Sequence, residues 1–218
     1  MQENGSVGGL MIWAIIVLLI IAAFFIIGDF GADKQKEIEK QNLEKIISAG
    51  NYPEDYRSYL TPDKNKKLTL VESENKFVIH QFNEIMAIEE KSIPFSKIIE
   101  AEIAIDDQSI TKVSRGSQMA GAVIGGLAAG GIGALVGGLS SDRTESKYFR
   151  KIDLKLKLDD FSNPIAKIEF LPSKTDTGLQ NTKGFKLDDQ KVKEALSNVE
   201  IWQGIMEIAI RKGSKVAQ

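Results

Sequence analysis

The chain has 218 residues, of which 43% are hydrophobic and 27% are charged, and its 28 basic and 30 acidic side chains leave a net charge of −2. This near balance speaks against a nucleic-acid-binding protein, because such domains are usually clearly basic. A single histidine and the lack of cysteine exclude His/Cys zinc sites and a cysteine nucleophile. We therefore expect no cofactor and no enzymatic activity.

The first element is an apolar run from Leu10 to Ile27 that contains no charge, amide or proline. A helix of this length, rising about 1.5 Å per residue, is roughly 27 Å long, close to the hydrocarbon thickness of a bilayer. The run predicts a single transmembrane helix over residues 10–28, with a short extracytoplasmic N-terminus at residues 1–9. Its predicted membrane-anchor residues are Leu10, Trp13, Leu18, Phe24 and Ile27.

A cleaved signal peptide is the main alternative for this run. Such peptides begin with basic residues and end at small residues, whereas no Lys or Arg precedes the run and a cut after Ala32 would place Phe30 at position −3. Basic residues follow the run instead, starting with Lys34 and Lys36. Because basic flanks stay on the cytoplasmic side, we predict a single-pass protein of the cell (inner or plasma) membrane with a cytoplasmic body.

Residues 29–66 are predicted to form a helical stalk and linker. The segment Asp33–Ser48 is rich in strong helix formers. Two interpretations stay open for it: a stalk that continues the span, or a dimerising or membrane-surface helix. Pro53 predicts the start of a short second helix with Tyr56 and either Tyr59 or Leu60 on one side.

From Lys67 onward, short alternating apolar runs are typical of β-strands. We predict about seven antiparallel strands, at residues 68–72, 77–82, 85–90, 98–105, 109–114, 148–158 and 165–171. A final helix over Leu187–Arg211 presents one apolar stripe at three- and four-residue steps. Asp188 or Asp189 is expected to cap its start, and Gly213 to lie just beyond its end.

This order of strands and a closing helix resembles the pleckstrin-homology-like superfold, and in particular the bacterial PH-like and GRAM-like domains. The resemblance covers residues 67–211, and it rests on element order, on the stretch IPFSKIIEAEI and on Trp202 in the last helix. It implies a bent antiparallel sheet plugged by the helix, and a binding or scaffolding module, since that superfold is generally non-catalytic. The predicted fold class is thus α+β, with a transmembrane helix before the PH-like domain and a tail at residues 212–218.

A glycine-rich insert at residues 116–142 interrupts this domain. Its centre, Met119–Leu139, has no charge and eight glycines, and it resembles the glycine zippers of membrane-associated proteins. One membrane crossing would separate the strands on either side of it, so we predict a hairpin of two short helices turned at Gly130–Gly131; a surface insertion without membrane contact is the alternative. The zipper residues with small-xxx-small spacing are Gly121, Gly125, Gly126, Gly130, Gly133 and Gly137.

Few residues suggest chemistry. The lone strand histidine, His80, is expected to be structural, and the pairs Asp106–Asp107, Asp159–Asp160 and Asp188–Asp189 are expected in turns and caps. One basic strand face is either a solvated surface or a site for an anionic lipid headgroup. Its residues are Arg150, Lys151, Lys155 and Lys157.

Two functional hypotheses follow. The first is a non-enzymatic, membrane-anchored PH-like module that recognises lipid headgroups or a protein partner at the cytoplasmic membrane face. The second is a self-assembling membrane protein, in which the zipper builds homo-oligomers or perturbs the bilayer. The expected partners are membrane lipids, a protein or further copies of the chain, and not nucleic acid.

Overall fold

The chain divides into two units, Met1–Lys45 and Ile46–Gln218. In the first unit, the described residues from 34 onward are helical. The second unit holds two sheets and a long C-terminal helix. The computed structural model describes residues 13, 16–18, 34–50, 52, 56–115, 148–173 and 180–216.

Ten strands and one long helix are found in the described part of the second unit. The C-terminal helix spans Gln190–Val216. The strands are β1 (Arg57–Leu60), β2 (Lys66–Val71), β3 (Lys76–Phe82), β4 (Ile88–Pro94), β5 (Ile98–Ile105), β6 (Gln108–Ser114), β7 (Tyr148–Phe149), β8 (Ile152–Leu158), β9 (Ile165–Glu169) and β10 (Phe185–Lys186).

The strands form two four-stranded sheets and one small pair. The first sheet has the order β1-β2-β3-β4, the second has the order β6-β5-β8-β9, and β7 pairs with β10. All pairings are antiparallel. Both sheets and the C-terminal helix contribute to one hydrophobic core, which includes Phe77, Leu154 and Trp202.

Strand β5 joins the two parts of the domain that the glycine-rich insert separates. It pairs on one side with β6, before the insert, and on the other with β8, after it, so that Ile103 lies opposite both Thr111 and Leu154. The prediction that the strands on either side of the insert share one sheet is confirmed. Because β6 and β8 are both antiparallel to β5, they run parallel, and the chain between them leaves the sheet at one end and re-enters at the other. Residues 116–147, with all predicted zipper glycines, lie outside the described residues.

The predicted transmembrane helix is wrong. Within the described residues, no helix has the length and apolar character that a bilayer crossing needs. Of the predicted span, Trp13 and residues 16–18 are helical and exposed, and the rest, including Leu10, Phe24 and Ile27, lies outside the described residues. An apolar composition predicts a favourable free energy of transfer of a helix into lipid, but it does not establish a continuous helix of that length. The single-pass topology rested on this helix and loses its support.

The C-terminal helix carries the predicted apolar stripe. Val199, Trp202 and Met206 are among its buried residues. Asp189 accepts a hydrogen bond from the backbone N–H of Lys191 at 2.8 Å, which confirms its capping role. The predicted end at Gly213 is wrong, because the helix continues through this residue to Val216.

Gly213 is needed inside the helix for a packing reason. A β-carbon at this position would collide with the backbone carbonyl of Phe95, where the helix crosses the short 3-10 turn before β5. The glycine therefore marks a close approach of two backbones rather than a helix end.

Two strand predictions are also corrected. Tyr59, expected on a helix, lies in β1, where its ring stacks on Phe170 at 4.2 Å between centroids and links the first sheet to the chain after β9. The third predicted strand begins late, because Asn83 Oδ1 accepts the backbone N–H groups of Ile85 and Ala87 and closes a turn there.

The face of the first sheet that points away from the core is buried as well. Lys67 is 4% exposed, and its ammonium donates to the carbonyls of Ile47 at 2.7 Å and Ala49 at 2.6 Å. His80, directly opposite Lys67 in β3, is 2% exposed, and its Nε2 lies 3.2 Å from Glu90 Oε2. The histidine is therefore a buried structural residue.

The two glycines of the C-terminal helix give a matched test of this packing. Gly213→Ala is expected to lower the free energy of unfolding by about 1–3 kcal/mol, because the clash outweighs the gain in helix propensity. Gly204→Ala, where an added β-carbon meets nothing within 4 Å, should raise it by up to about 1 kcal/mol. Urea unfolding of the full chain measures both; equal effects at the two sites would contradict the close approach.

Burial gives His80 a pH-dependent effect on stability. Burial lowers the pKa of His80, although Glu90 acts in the opposite direction. The unfolded chain then binds the proton first, so stability should fall as the pH drops below about 6.5. In His80→Gln this part of the pH dependence should vanish, as measured by urea unfolding between about pH 7.5 and 5.5. Parallel curves for the two proteins would contradict the assignment.

Candidate binding cleft

A polar cleft of about 360 Å³ lies where one end of the first sheet meets the second sheet. The first sheet contributes the β1–β2 turn and the end of β3. The second sheet contributes the start of β8, the residue before it, and β9. The lining residues are Thr61, Asp63, Asn65, Lys66, Gln81, Phe82, Lys151, Asp153, Lys167 and Glu169.

Hydrogen bonds order the first-sheet side of the cleft. Asp63 Oδ1 accepts from Thr61 Oγ1 at 2.6 Å and from the Asn65 backbone N–H at 3.1 Å, which closes the turn before β2. Lys66, the first residue of β2, donates from Nζ to the carbonyl oxygen of Lys167 at 3.0 Å. This bond ties the two sheets together across the cleft.

The second-sheet side is held by a short loop before β8. Asp106 Oδ1 accepts the backbone N–H groups of Arg150 at 2.9 Å and Lys151 at 3.0 Å. The Lys151 ammonium then lies 3.1 Å from Asp107 and 3.3 Å from Asp153. Lys151 therefore reaches the cleft as part of an ion-pair network.

Burial shifts the pKa values of several ionisable groups in the cleft. It raises the pKa values of Asp153 and Glu169, because desolvation disfavours their charged forms. For the same reason burial lowers the pKa of Lys66. Three lysines and three carboxylates line the cleft, so its formal charge is 3 − 3 = 0 when all six are ionised.

The structure places the predicted headgroup residues in different environments. Lys151 lies in the cleft, with Arg150 exposed beside it. Lys155 pairs with Glu102 at 3.6 Å on the outer face of the second sheet, and Lys157 is exposed farther along β8. Whether these residues bind a headgroup stays a prediction.

Sequence reasoning missed three cleft residues, Lys66, Lys167 and Asp153. Alternation along β8 puts Asp153 on the same face as Lys151, Lys155 and Lys157, but this face is covered at the cleft, where Asp153 is 2% exposed. The cluster KNKK at residues 64–67, where the β1–β2 turn leads into β2, was a signal for a basic turn, yet only the strand register shows that Lys66 faces the cleft while Lys67 is buried on the other face.

The Asp160 carboxylate has a structural role. Asp160 Oδ1 accepts the backbone N–H of Ser162 at 2.9 Å, so this carboxylate closes the β8–β9 turn as predicted. Across the described ranges, no group of three or more histidine, aspartate or glutamate side chains could hold a metal ion.

Two packed antiparallel sheets closed by a C-terminal helix define a domain of the pleckstrin-homology-like class. The chain belongs to the family of glycine zipper containing PH domains, whose family model matches residues 56–172. The match includes the insert and every strand except β10.

Two relatives match over most of their length. One is the SPbeta prophage-derived uncharacterized membrane protein YomJ of Bacillus subtilis (strain 168), 38% identical over 209 residues, which cover 94% of this chain and 88% of the relative. The other, named Immunity protein, is from Bacillus phage SPbeta and is 38% identical over 203 residues, which cover 93% of this chain and 96% of the relative. No solved structure shows a significant match.

Proposed function

We propose that this protein is a non-catalytic binding module that works at a membrane surface and holds the phosphate of an anionic lipid headgroup in its cleft. The observation that carries the proposal is the convergence of Lys66, Lys151 and Lys167 on one cleft from three separate strands or loops. Lysine ammonium groups bind phosphate as compact, strongly hydrated charges with rotatable donors.

The cleft suits a small polar ligand. Its volume of about 360 Å³ is at the lower end for ligand sites. Asn65 and Gln81 add neutral polar groups to its lining. Neither Lys66 nor Lys167 has a carboxylate within 4.0 Å among the described residues, so both keep donors for a ligand.

The relatives support the setting of the proposal. One carries the name membrane protein and the other the name immunity protein, and neither name states an enzymatic activity. We propose that the module associates with a membrane and serves an immunity function there, with headgroup recognition as the binding step.

Vesicle binding tests the role of the cleft lysines. Lys66→Met and Lys167→Met keep the aliphatic stem but remove the charge, and each should weaken binding of the full chain to phosphatidylglycerol-containing vesicles about tenfold. Lys157→Met removes the same charge from an exposed position outside the cleft and should change binding less than about twofold. Co-sedimentation against phosphatidylcholine vesicles gives the baseline. Equal losses in all three variants would overturn the cleft as the site.

The family's zipper supports a second candidate function, self-assembly of the chain. Small-xxx-small spacing lets helices approach closely, so a bulky side chain in such a row should block association. We expect Gly125→Leu and Gly133→Leu to shorten the ladder of crosslinked oligomers of the full chain in vesicles. Gly204→Leu, on the open face of the C-terminal helix, is the control. An unchanged ladder in the zipper variants would exclude this contact.

A further inference from the structure

We infer that acid switches on anion binding in the cleft, because Asp153 and Glu169 take up protons as the phosphate group enters. The inference rests on the proposed function and adds its regulation. It makes binding sensitive to the proton concentration at the membrane surface.

Asp153 is the best placed proton acceptor. It is 2% exposed, and among the described residues its Oδ2 is compensated only by an ion pair. The nearest cation, the Lys151 ammonium, lies 3.3 Å from this oxygen and is shared with Asp107. A buried carboxylate with one shared counter-charge is poorly compensated, so burial raises its pKa.

Glu169 is the second acceptor. Its Oε1 accepts the backbone N–H of Ser173 at 3.0 Å. No lysine or arginine of the described chain lies within the 4.0 Å ion-pair distance of this carboxylate, and burial raises its pKa as well. Asp63 across the cleft acts in the same direction on Glu169.

The charge balance of the cleft turns these two groups into a switch. With every group ionised, the carboxylates of Asp63, Asp153 and Glu169 cancel the three cleft lysines. Protonation of Asp153 and Glu169 changes the net charge from 0 to +2, while Asp63 remains occupied by the turn before β2. An incoming phosphate then meets a cleft with net positive charge, and by linkage its binding favours the protonated acids.

Other charged groups near the cleft do not compete for this role. Asp107 faces Lys151 from the β5–β6 turn, but it is exposed and its ion pair lowers its pKa. Lys91 and Lys155 lie on the neighbouring β4 and β8. Both add positive charge near the cleft.

An anionic membrane supplies the condition for the switch. A surface potential of about −30 mV concentrates protons, so the pH at the surface is lower than in bulk by about half a unit. The cleft would therefore bind more tightly at the membrane than in solution.

The test uses the full chain with glycerophosphoglycerol, a phosphodiester whose charge is constant over the range studied. We expect its affinity, measured by isothermal titration calorimetry, to rise about tenfold from about pH 7.5 to about pH 5. Titrations in two buffers with different ionisation enthalpies should show proton uptake on binding. The double variant Asp153→Asn/Glu169→Gln should bind at about pH 7.5 as tightly as the unaltered chain does in acid, with less than twofold pH dependence.

A matched variant and two outcomes separate the inference from the proposed function. Glu200→Gln/Glu207→Gln removes two charges from the C-terminal helix and should keep the full pH dependence. Binding that needs Lys66 but is equal at both pH values, without proton uptake, would overturn the acid switch and leave the function standing. A lack of binding at every pH, in the unaltered chain and the double variant, would overturn both.

Discussion

The pairing of β5 with strands from both sides of the insert is the constraint on which the rest of the domain depends. Main-chain hydrogen bonds to β6 and β8 fix the register of Ile103 between Thr111 and Leu154. That register buries the alternating apolar residues of β8 in the shared core and brings Lys151 and Asp153 to the cleft end of the sheet. This ladder joins the segment after the insert to the strands before it.

The cleft and the outer face of the second sheet use similar residues in different ways. On the outer face, lysines lie opposite or diagonal to the glutamates of β5; Lys112 lies opposite Glu102 and forms an ion pair with the diagonal Glu100 at 2.7 Å, so the charges largely cancel in pairs. In the cleft, burial leaves Asp153 and Glu169 poorly compensated, and the Lys66 ammonium donates to a backbone carbonyl, that of Lys167. Lysines and carboxylates therefore form an ion-paired surface on the outer face, whereas in the cleft they form a site whose charge depends on pH.

Much of the domain could be predicted from local patterns. Alternation located five of the seven predicted strands closely, since a half-buried strand repeats every two residues. The predicted strand 148–158 is divided into β7, which pairs with β10, and β8, which lies in the second sheet. The stripe ending in Trp202, Met206 and Ala209 located the C-terminal helix for the equivalent reason. The predictions failed where a contact distant in sequence determines the local structure. Tyr59 is in a strand because β2 pairs with it, and Gly213 lies inside a helix that packs on Phe95.

Sequence by itself determined which segments alternate, which stripe is apolar, where aspartates cap turns, and that the strands around the insert had to meet. The first three properties depend on neighbours within a few residues, and the last follows from the requirement that both halves share one sheet. Only the tertiary structure decided that the first apolar run contributes no bilayer-length helix among the described residues, and that Lys66, rather than Lys67, faces the cleft. Lys66 and Lys67 are neighbours in β2, and successive side chains of a strand point to opposite faces of the sheet. Only the register of β2 with β1 and β3 therefore decides which of the two lysines faces the cleft.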